Sequence, residues 1–557
     1  MKCKKKLKAL LFIFFTVLIV ISINQFPIMN NMNFRQNKDE IPSTSPVMTE
    51  GIFINGSATG VGANNWTWVQ YQPWFGGGTG SWKDPFILED LIFNHTNEDY
   101  TIEIINSDVY FEIRNCTFLE SSRHGEFYLR NVNNSRIINN ELSQSNGIQI
   151  YDCNTAFILN NSLDAFWYGD HGLRVSNCDN ITIFHNSFSA FARGINVIFG
   201  NNISISNNTI YDCGDYGVNL YDCNHVNIIE NYLTQNDHGI RISDSDDVKL
   251  RKNNLKDPNN YKAEIYISNS NNTSIIENEI EDHYIRLNGD KNTICSTKMK
   301  ENVINGKPLI SYMHEKNLVS SNFSKDCEVF LINCSHSSFL DLKPSKGGIG
   351  ISLYYCTNIT MQNFTSNKNI GDGFYVQGCT NITMQNISSN ENIGDGFHVQ
   401  GCTNITMENS SFSYNEEDGI YILYSRQVDI INNEINFNYW HGIVLRDTDY
   451  CLIEYNTIKG HYYYGLFIDG SWYNKIYFNI ILDNYIKGIY QMDSDHNEFF
   501  GNICDDNEEE LFLMNPLMCV VVSFVLFIGI FFLISTIRNM NDKFKRELKY
   551  IIEKAKR

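Results

Sequence analysis

Residues 371–386 and 394–409 carry almost the same phrase, GDGFYVQGCTNITMQN and GDGFHVQGCTNITMEN, 23 residues apart. Self-similarity at a fixed step of this size is typical of solenoid proteins, and it constrains the fold more than any other feature of the chain. A glycine, here termed the marker glycine, recurs in this phrase with a step of about 22 to 23 residues and small slips. The marker glycines are Gly147, Gly172, Gly194, Gly217, Gly239, Gly350, Gly373, Gly396, Gly419, Gly442, Gly465 and Gly488.

The residues after each marker glycine alternate between apolar and polar, which predicts a short β-strand. The segments between the phrases lack the 3.6-residue period of helices, so leucine-rich and helical repeats fit poorly. Three short strands in each turn of about 22 residues indicate a parallel β-helix. We therefore predict an all-β fold, a right-handed parallel β-helix solenoid of about 17 coils over residues 91–510.

Asparagine recurs at the same step as the marker glycine. Coils of a β-helix stack about 4.8 Å apart, so equivalent asparagine side chains can bond to one another along the stack. We expect a structural ladder of these residues inside a turn. Its predicted members are Asn140, Asn161, Asn186, Asn208, Asn231, Asn278, Asn363, Asn386, Asn409, Asn433, Asn456, Asn479 and Asn502.

Cysteine also recurs, six residues after the marker position. The spacing of stacked coils permits disulfides, but free cysteine is among the most buried residue types and packs as a small hydrophobe. A stack of buried thiols is therefore favoured over disulfides, and a metal site is less favoured because CxxC and CxxH clusters are missing. The aligned residues are Cys116, Cys153, Cys178, Cys223, Cys334, Cys356, Cys379 and Cys402.

Several segments lie outside the repeat. Residues 1–23 combine lysines with an apolar run and predict a signal peptide or signal anchor. Residues 24–50 are a polar linker, and the tryptophan- and glycine-rich residues 51–90 are expected to cap the solenoid. Residues 517–537 are long enough for a transmembrane helix, and a basic tail follows at 538–557. Basic flanks at both ends predict a membrane protein whose β-helix faces outside the cell.

Charge limits the classes of partner. The chain holds 63 acidic and 43 basic residues, and its formal charge is −20. The predicted cytoplasmic flanks are basic, so the outer part is more acidic still. Nucleic-acid binding is therefore not expected. Many Asn-x-Ser/Thr sequons, such as those at Asn180 and Asn358, are consistent with an extracellular glycoprotein.

One stretch resembles a known family. The segment NVINGKPLISY, then EVFLINCSHSSFLDL, then repeats of the form G-I-x-L-x-x-C-x-N-I-T-x-x-N resemble the periplasmic copper-binding β-helix proteins of the NosD type. The opening WFGGGTGSWKDPFILEDL resembles the start of many archaeal surface β-helix proteins. The resemblance covers most of residues 70–510 and implies the β-helix fold. It implies function weakly, because lyases, hydrolases, epimerases, adhesins and copper-site maturation factors share this fold.

Side chains that point away from the core determine function on a solenoid. In the first half they mix carboxylate, imidazole and guanidinium groups, which could bind a polysaccharide or transfer protons. We term this set the N-terminal strip. Its candidate catalytic residues are Asp170, His171, Asp215, Asp237 and His238, and its candidate substrate-binding residues are Arg174, Arg193, Asn196, Asn219 and Arg241. A solvated surface with turn-forming Asp and His is the alternative reading.

In the second half the same outward position becomes aromatic. Exposed aromatic rings in a line are natural platforms for sugar rings, although aromatic residues also suit strands. We term these residues the C-terminal row. They are Tyr375, His398, Tyr421, Phe467 and Tyr490.

Signatures of the known enzymes on this fold are missing. The polygalacturonase set and the Asp-Pro-His motif of alginate epimerases do not occur. Met361, Met384 and Met407 are expected to point into the core, so no metal site and no cofactor are predicted. The leading hypothesis is a surface protein that binds polysaccharide or surface-layer glycans. An extracellular polysaccharide lyase, hydrolase or epimerase is second, and a copper-handling accessory protein is third. The sequence leaves the oligomeric state open.

Overall fold

The computed structural model describes residues 46–94, 99–119, 124–256 and 265–505. The predicted signal or anchor segment, most of the linker, the membrane helix and the basic tail lie outside these residues. Among the residues that the structure describes, no helix is both long and apolar enough to cross a bilayer.

Within the described residues, the chain winds as a parallel β-helix of about 17 turns. The predicted right-handed, all-β solenoid is confirmed. Strands stack in register on three faces, and three long strands turn a corner between faces. Gly125–Ile138 runs from face 1 into face 2, while Ser162–Ser176 and Ser187–Ile198 run from face 3 into face 1.

Face 1 follows the marker glycines and carries the outward positions discussed above. Its other strands are Ile52–Asn55, Tyr100–Ser107, Ile148–Tyr151, Tyr216–Tyr221, His238–Ser243, Ile265–Ser268, Ile285–Asn288, Lys307–Met313, Glu328–Ile332, Ile351–Tyr354, Phe374–Gln377, Phe397–Gln400, Ile420–Leu423, Ile443–Arg446, Tyr464–Asp469 and Lys487–Met492.

Faces 2 and 3 complete each turn. Face 2 contains Phe75–Gly77, Phe86–Glu89, Phe111–Arg114, Asn154–Leu159, Asp179–Phe184, Asn201–Ser206, Asn224–Ile229, Lys249–Arg251, Ser274–Ile276, Lys298–Lys300, Ser335–Leu340, Thr357–Gln362, Thr380–Gln385, Thr403–Glu408, Arg426–Ile431, Leu452–Glu454, Lys475–Tyr477 and Glu498–Phe500. Face 3 contains Val47–Met48, Ile92–Phe93, Thr117–Phe118, Glu141–Ser143, Thr209–Tyr211, Tyr232–Thr234, Asn254–Lys256, Glu279–Glu281, Val303–Ile304, Glu434–Asn436, Thr457–Lys459, Ile480–Leu482 and Ile503–Asp505.

In the described part of the chain, three short helical segments interrupt the strands. They are Trp66–Val69, Lys291–Ile294 and the 3-10 helix Ser320–Asn322. Trp66 belongs to the predicted cap, and its ring lies 5.1 Å from the rings of both Phe86 and Phe111. Its indole N–H donates to Ser107 Oγ at 2.8 Å. The tryptophan-rich segment therefore packs over the first coils.

The solenoid consists of two stacks with separate cores. On face 1 the first stack ends at Ile285–Asn288. A short antiparallel hairpin of Val303–Ile304 with Lys307–Met313 follows, and the parallel pairing resumes with Glu328–Ile332. Outward side chains of the second stack pack on the end of the first core. For example, Tyr354 is fully buried and its hydroxyl accepts from Leu287 N at 3.2 Å. The repeat pattern in the sequence weakens at this junction.

The asparagine ladder is real, but three of its predicted members lie elsewhere. Asn363, Asn386 and Asn409 occupy exposed turn positions with φ near +55°, and the ladder position is the residue that follows each of them. These three residues follow their marker glycines by 13 residues, whereas the ladder members follow theirs by 14. Asparagine occurs at both positions because it tolerates positive φ and also suits the ladder. The linked buried amides in the first stack are Asn140, Asn161, Asn186, Asn208, Asn231, Asn253, Asn278 and Asn302.

The aligned cysteines are buried free thiols in the described part of the chain. Cys356 N donates to Cys379 Sγ at 3.2 Å, and Cys379 N donates to Cys402 Sγ at 3.3 Å. The thiols thus stack coil on coil inside the second core. This arrangement is the one that the sequence favoured.

Candidate functional site

The structure places the outward residues of the N-terminal strip in one line on face 1. Arg174, Asn196, Asn219 and Arg241 are register partners on successive coils. Asn196 and Asn219 are buried, contrary to the exposure expected from the sequence, because each amide is covered by its neighbours along the row. Asn219 Nδ2 donates to Asn196 Oδ1 at 2.8 Å. The middle of the strip is therefore closed to a ligand.

The acid and base candidates of the strip are partnered or separated. His171 is also buried, and its Nε2 lies 3.4 Å from Asn196 Nδ2. Asp215 Oδ2 accepts from Arg193 Nε at 2.8 Å. Register places Asp170 two coils, or about 10 Å, before Asp215.

Other members of the strip surround one tyrosine, Tyr216. The His238 ring stacks on Tyr216 with centroids 5.1 Å apart, and Arg241 donates to the Tyr216 hydroxyl at 3.2 Å. Asp237 lies exposed beside His238. The catalytic role of these residues stays a prediction.

The C-terminal row is also a line of register partners, but its rings face one another. Tyr375, His398 and Tyr421 stack with centroids 5.0 Å apart at each step. Tyr375 and Phe467 are buried, whereas Tyr490, three coils beyond Tyr421, is half-buried. Ring faces that contact neighbouring rings cannot also receive sugars. The expected open aromatic platform is therefore not present in the described row, because coil stacking brings the rings onto each other.

The two lines join into one column at the junction of the stacks. In the first stack, register runs from Arg241 through Tyr266 to Arg286. The Arg286 guanidinium then lies 4.6 Å from the centroid of the Tyr375 ring in the second stack. The sequence predicted both halves of this column, the N-terminal strip and the C-terminal row. It gave no signal for Tyr266 and Arg286, which connect them.

Beside this column lies an acidic ladder of three buried residues, Asp372, Asp395 and Asp418, each just before a marker glycine. Asp395 N donates to Asp372 Oδ1 at 2.8 Å, and Asp418 N donates to Asp395 Oδ1 at 2.9 Å. A Cβ on Gly396 would lie 2.6 Å from Gly419 O, so only glycine allows this close approach of successive coils. The Asp-Gly sequence thus directs each carboxyl onto the backbone of the next coil.

Column and ladder together border a cleft of about 400 Å³, which we term the central cleft. Its lining combines cationic, acidic, imidazole and aromatic side chains. The residues used below are Arg286, Asp372, Asp395, His398, Asp418, Tyr421 and Arg446. Arg446 donates to Asp469 Oδ2 at 3.2 Å and to the Tyr421 hydroxyl at 3.4 Å.

Burial changes the protonation of this site. Loss of solvent raises the pKa of Asp395 to about 7, and it raises the pKa of Asp372 and Asp418, which the neighbouring Asp395 charge raises further. Burial lowers the pKa of His398 to about 4, so its imidazole is neutral at neutral pH. Burial also raises the pKa of the Tyr421 hydroxyl, which keeps its proton.

Asp395 and His398 form a pair whose tautomer depends on pH. Asp395 Oδ2 lies 2.9 Å from His398 Nδ1. While Asp395 is protonated it donates to Nδ1, and Nε2 then carries the imidazole proton. Once Asp395 ionises, Nδ1–H donates to the carboxylate and Nε2 has a free lone pair. Ionised Asp395 therefore converts His398 into a general base.

The contribution of Asp395 to stability is predicted to fall as the pH rises through this window. The folded pKa of Asp395, about 7, lies above the ordinary value of about 3.9. Between these values the folded state keeps a proton that the unfolded chain has lost, so stability decreases with rising pH and the decrease ends above pH 7. Burial of His398, whose pKa falls to about 4, has the opposite effect on stability, both in the wild type and in Asp395→Asn. We therefore expect the thermal midpoint of the wild type, relative to that of Asp395→Asn, to fall between about pH 4 and about pH 7. The same pH dependence in both proteins would contradict the assignment.

Three of these residues could hold a cation. One ligand atom from each of Asp372, Asp395 and His398 lies within 4.8 Å of the others. Two carboxylates and one imidazole suit a hard or borderline divalent ion. Arg286 borders the same cleft, and its positive charge opposes such binding.

Comparison with known protein families shows which family this chain belongs to. The model of the family described as "Periplasmic copper-binding protein (NosD)" matches residues 109–311 and 320–515, more than half of the chain. The chain belongs to the NosD family. The two matched segments meet at the junction between the stacks, and the resemblance read from the sequence is confirmed.

Copper does not fit the residues that the structure describes in this NosD protein. Copper prefers thiolate, thioether and clustered imidazole ligands. The cleft is lined by two imidazoles, His398 and His441, among carboxylates and arginines. Of the two, only His398 belongs to the group of converging ligand atoms, and Nδ1 of His441 already accepts from Tyr464 N at 3.1 Å. Met361, Met384 and Met407 stack inside the core and are at most 1% exposed.

Solved structures similar to this NosD protein include the A-module of the mannuronan C-5 epimerase AlgE6 of Azotobacter vinelandii. That comparison has 15% identity, covers 71% of this chain and 90% of the other, and has a TM-score of 0.29. The periplasmic alginate epimerase AlgG has 10% identity, coverages of 81% and 83%, and a TM-score of 0.21. PfbA, a surface adhesin of Streptococcus pneumoniae, has 12% identity, coverages of 62% and 81%, and a TM-score of 0.23. None of the curated protein sequences matches the chain.

Proposed function

We propose that this NosD-family protein is a lyase that cleaves acidic polysaccharides by β-elimination in the central cleft. The observation that carries the proposal is the Asp395–His398 pair, with 2.9 Å between Oδ2 and Nδ1, in a cleft that also holds Arg286 and Arg446. Strongly perturbed acids and bases in a cleft mark functional sites. A carboxylate that orients an imidazole is the usual way to hold a general base.

The reaction needs only groups of this chain, the substrate and solvent water. His398 Nε2 removes the proton on carbon 5 of a 4-linked uronate, next to its carboxylate. The electron pair forms the double bond between carbons 4 and 5, and the bond from carbon 4 to the glycosidic oxygen breaks. Tyr421, on the next coil, donates its hydroxyl proton to the leaving oxygen. Solvent then returns the proton from His398 to Tyr421.

The charge of the cleft favours an anionic sugar. Arg286 and Arg446 bring guanidinium groups to the cleft, whereas burial raises the pKa of Asp372 and Asp418 and so opposes their ionisation. Arginine presents paired donors that match a carboxylate. Neutralising the substrate carboxylate also makes the neighbouring proton easier to remove, because negative charge develops there as it leaves.

The alternatives from the sequence predict other outcomes. A glycan-binding protein without activity would bind polymer and release no product. A hydrolase would release reducing ends without unsaturated sugars, and an epimerase would change the uronate composition without cleavage. All three alternatives share the polysaccharide with our proposal, so the same incubation separates the four when polymer binding, reducing ends, unsaturated sugars and uronate composition are all measured.

From the sequence, we also propose that the protein is anchored in the cell membrane. The apolar run at 517–537 has the length of a membrane span, and the basic tail after it favours the cytoplasmic side. We place the β-helix outside the cell, where polysaccharides occur. Because this segment belongs to the protein, assays should use the full chain in mild detergent.

The direct test is to incubate the full chain with polygalacturonate and alginate and to follow the ultraviolet absorbance of unsaturated products. We expect kcat/KM to rise with pH through an apparent pKa of about 7, because Asp395 must ionise before His398 can accept a proton. Activity that falls across this range would contradict the assigned base. Binding without product would support the recognition protein instead.

A further inference from the structure

The central cleft continues along the rod in both directions. Toward the first stack, face 1 continues from Arg286 to Tyr266 and Arg241, one coil at each step. Toward the end of the second stack it continues from Tyr421 to Phe467 and Tyr490. Arg241, Tyr266 and Arg286 are each half-buried, so part of each side chain is open to solvent.

Cationic side chains recur along this line. Arg241 and Arg286 are separated by two coils, or about 10 Å. On the other side, Arg446 lies in the cleft and Lys487 lies two coils farther on. Lys487 Nζ is 5.8 Å from the Tyr490 ring. These cations contrast with the acidic balance of the whole chain, whose formal charge is −20.

We propose that an internal segment of an anionic polysaccharide lies lengthwise on face 1, from Arg241 across the central cleft to Lys487, and that the protein therefore acts within polymer chains. The proposal rests on the lyase site for its cleavage point. A cleft with cationic positions on both sides contacts substrate residues before and after the cleaved bond. A chain end or a disaccharide would leave those positions unused.

The flanking positions predict a dependence on substrate length. Each contributes one charge-assisted hydrogen bond to a carboxylate, which corresponds to about fivefold to tenfold in affinity. Arg241→Gln should raise KM for polygalacturonate by that factor with little change in kcat. The same substitution should leave KM for short oligouronates unchanged, because these do not reach from the cleft to Arg241. Lys487→Gln, on the other side of the central cleft, should likewise raise KM for polygalacturonate and leave KM for short oligouronates unchanged.

The experiment measures product lengths and binding separately. Chromatography of early products should show a broad range of long oligomers, the result of internal cleavage. Affinity electrophoresis of the Asp395→Asn full chain in gels with polygalacturonate measures binding without turnover, and a neutral galactomannan gel is the control polymer. Arg251→Gln is the control for Arg241→Gln. It removes the same charge from face 2, away from the proposed path, where Arg251 pairs with Glu277 at 3.1 Å.

Each outcome has a separate meaning. Early release of only short products, or equal effects of Arg241→Gln and Arg251→Gln on retention, would overturn the lengthwise path. Retention of polymer that depends on Arg241, without any unsaturated product, would leave the path in place and refute the lyase. Retention equal in uronate and neutral gels would overturn the anionic specificity.

Discussion

Asp395→Asn is expected to lower turnover of acidic polysaccharide by about 10²-fold to 10⁴-fold above about pH 7, where Asp395 is ionised in the wild type. The asparagine Oδ1 can still accept from Asp418 N, so the coil contact survives. Its Nδ2 then faces His398 Nδ1 and donates to it, which fixes the imidazole with its proton on Nε2. A base in this tautomer cannot accept a proton from the substrate. Initial rates from the absorbance of unsaturated products measure the loss.

The matched control is Asp449→Asn. Asp449 Oδ1 also accepts from the backbone of the next coil, from Trp472 N at 2.9 Å, but it does not border the central cleft. We expect this variant to keep its activity. If Asp395→Asn stays active while Asp237→Asn loses activity, the chemistry lies in the N-terminal strip instead, and the central cleft is wrongly assigned.

The sequence predicts the fold well because the fold is a local repeat. The marker glycine and the alternation after it specify one strand, and the 23-residue step specifies its neighbour. Asn363 shows how closely the positions must be counted. It follows Gly350 by 13 residues and lies in an exposed turn, whereas Asn433 follows Gly419 by 14 residues and lies in the ladder. A difference of one residue in register therefore separates the two positions.

The site is less visible in the sequence because it depends on contacts across the junction. Asp215 and Asp237 stand two residues before a marker glycine, whereas Asp372 stands directly before one. Asp372 is also buried, whereas Asp215 and Asp237 are not. Tyr284 of the first stack packs so closely that a Cβ on Gly371 would lie 3.0 Å from its ring. Such a contact between distant segments has no local signal, so Asp372 reads as an ordinary turn residue.

The largest loss of stability is expected from Asn231→Ala in the asparagine ladder. Asn231 is 1% exposed, and its Oδ1 accepts from both Asn208 N and Asn208 Nδ2 at 2.9 and 3.0 Å. Its Nδ2 donates to Ile205 O at 2.9 Å and to Asn253 Oδ1 at 3.0 Å. Alanine leaves several buried polar groups without partners, at about 1–3 kcal/mol each. We expect a loss of about 3–5 kcal/mol in the free energy of unfolding.

Asn224→Ala, on the same coil, is the control because Asn224 is exposed on a face 2 strand with ordinary φ. Surface substitutions of this kind usually change stability by less than about 0.5 kcal/mol. Urea unfolding followed by circular dichroism compares the two variants. Each coil contacts only its neighbours, so the damage should stay local, and limited proteolysis should cut near residue 231 before the second stack unfolds. Equal urea midpoints for Asn231→Ala and Asn224→Ala would show that the ladder amides help to align the coils but add little to the free energy of unfolding.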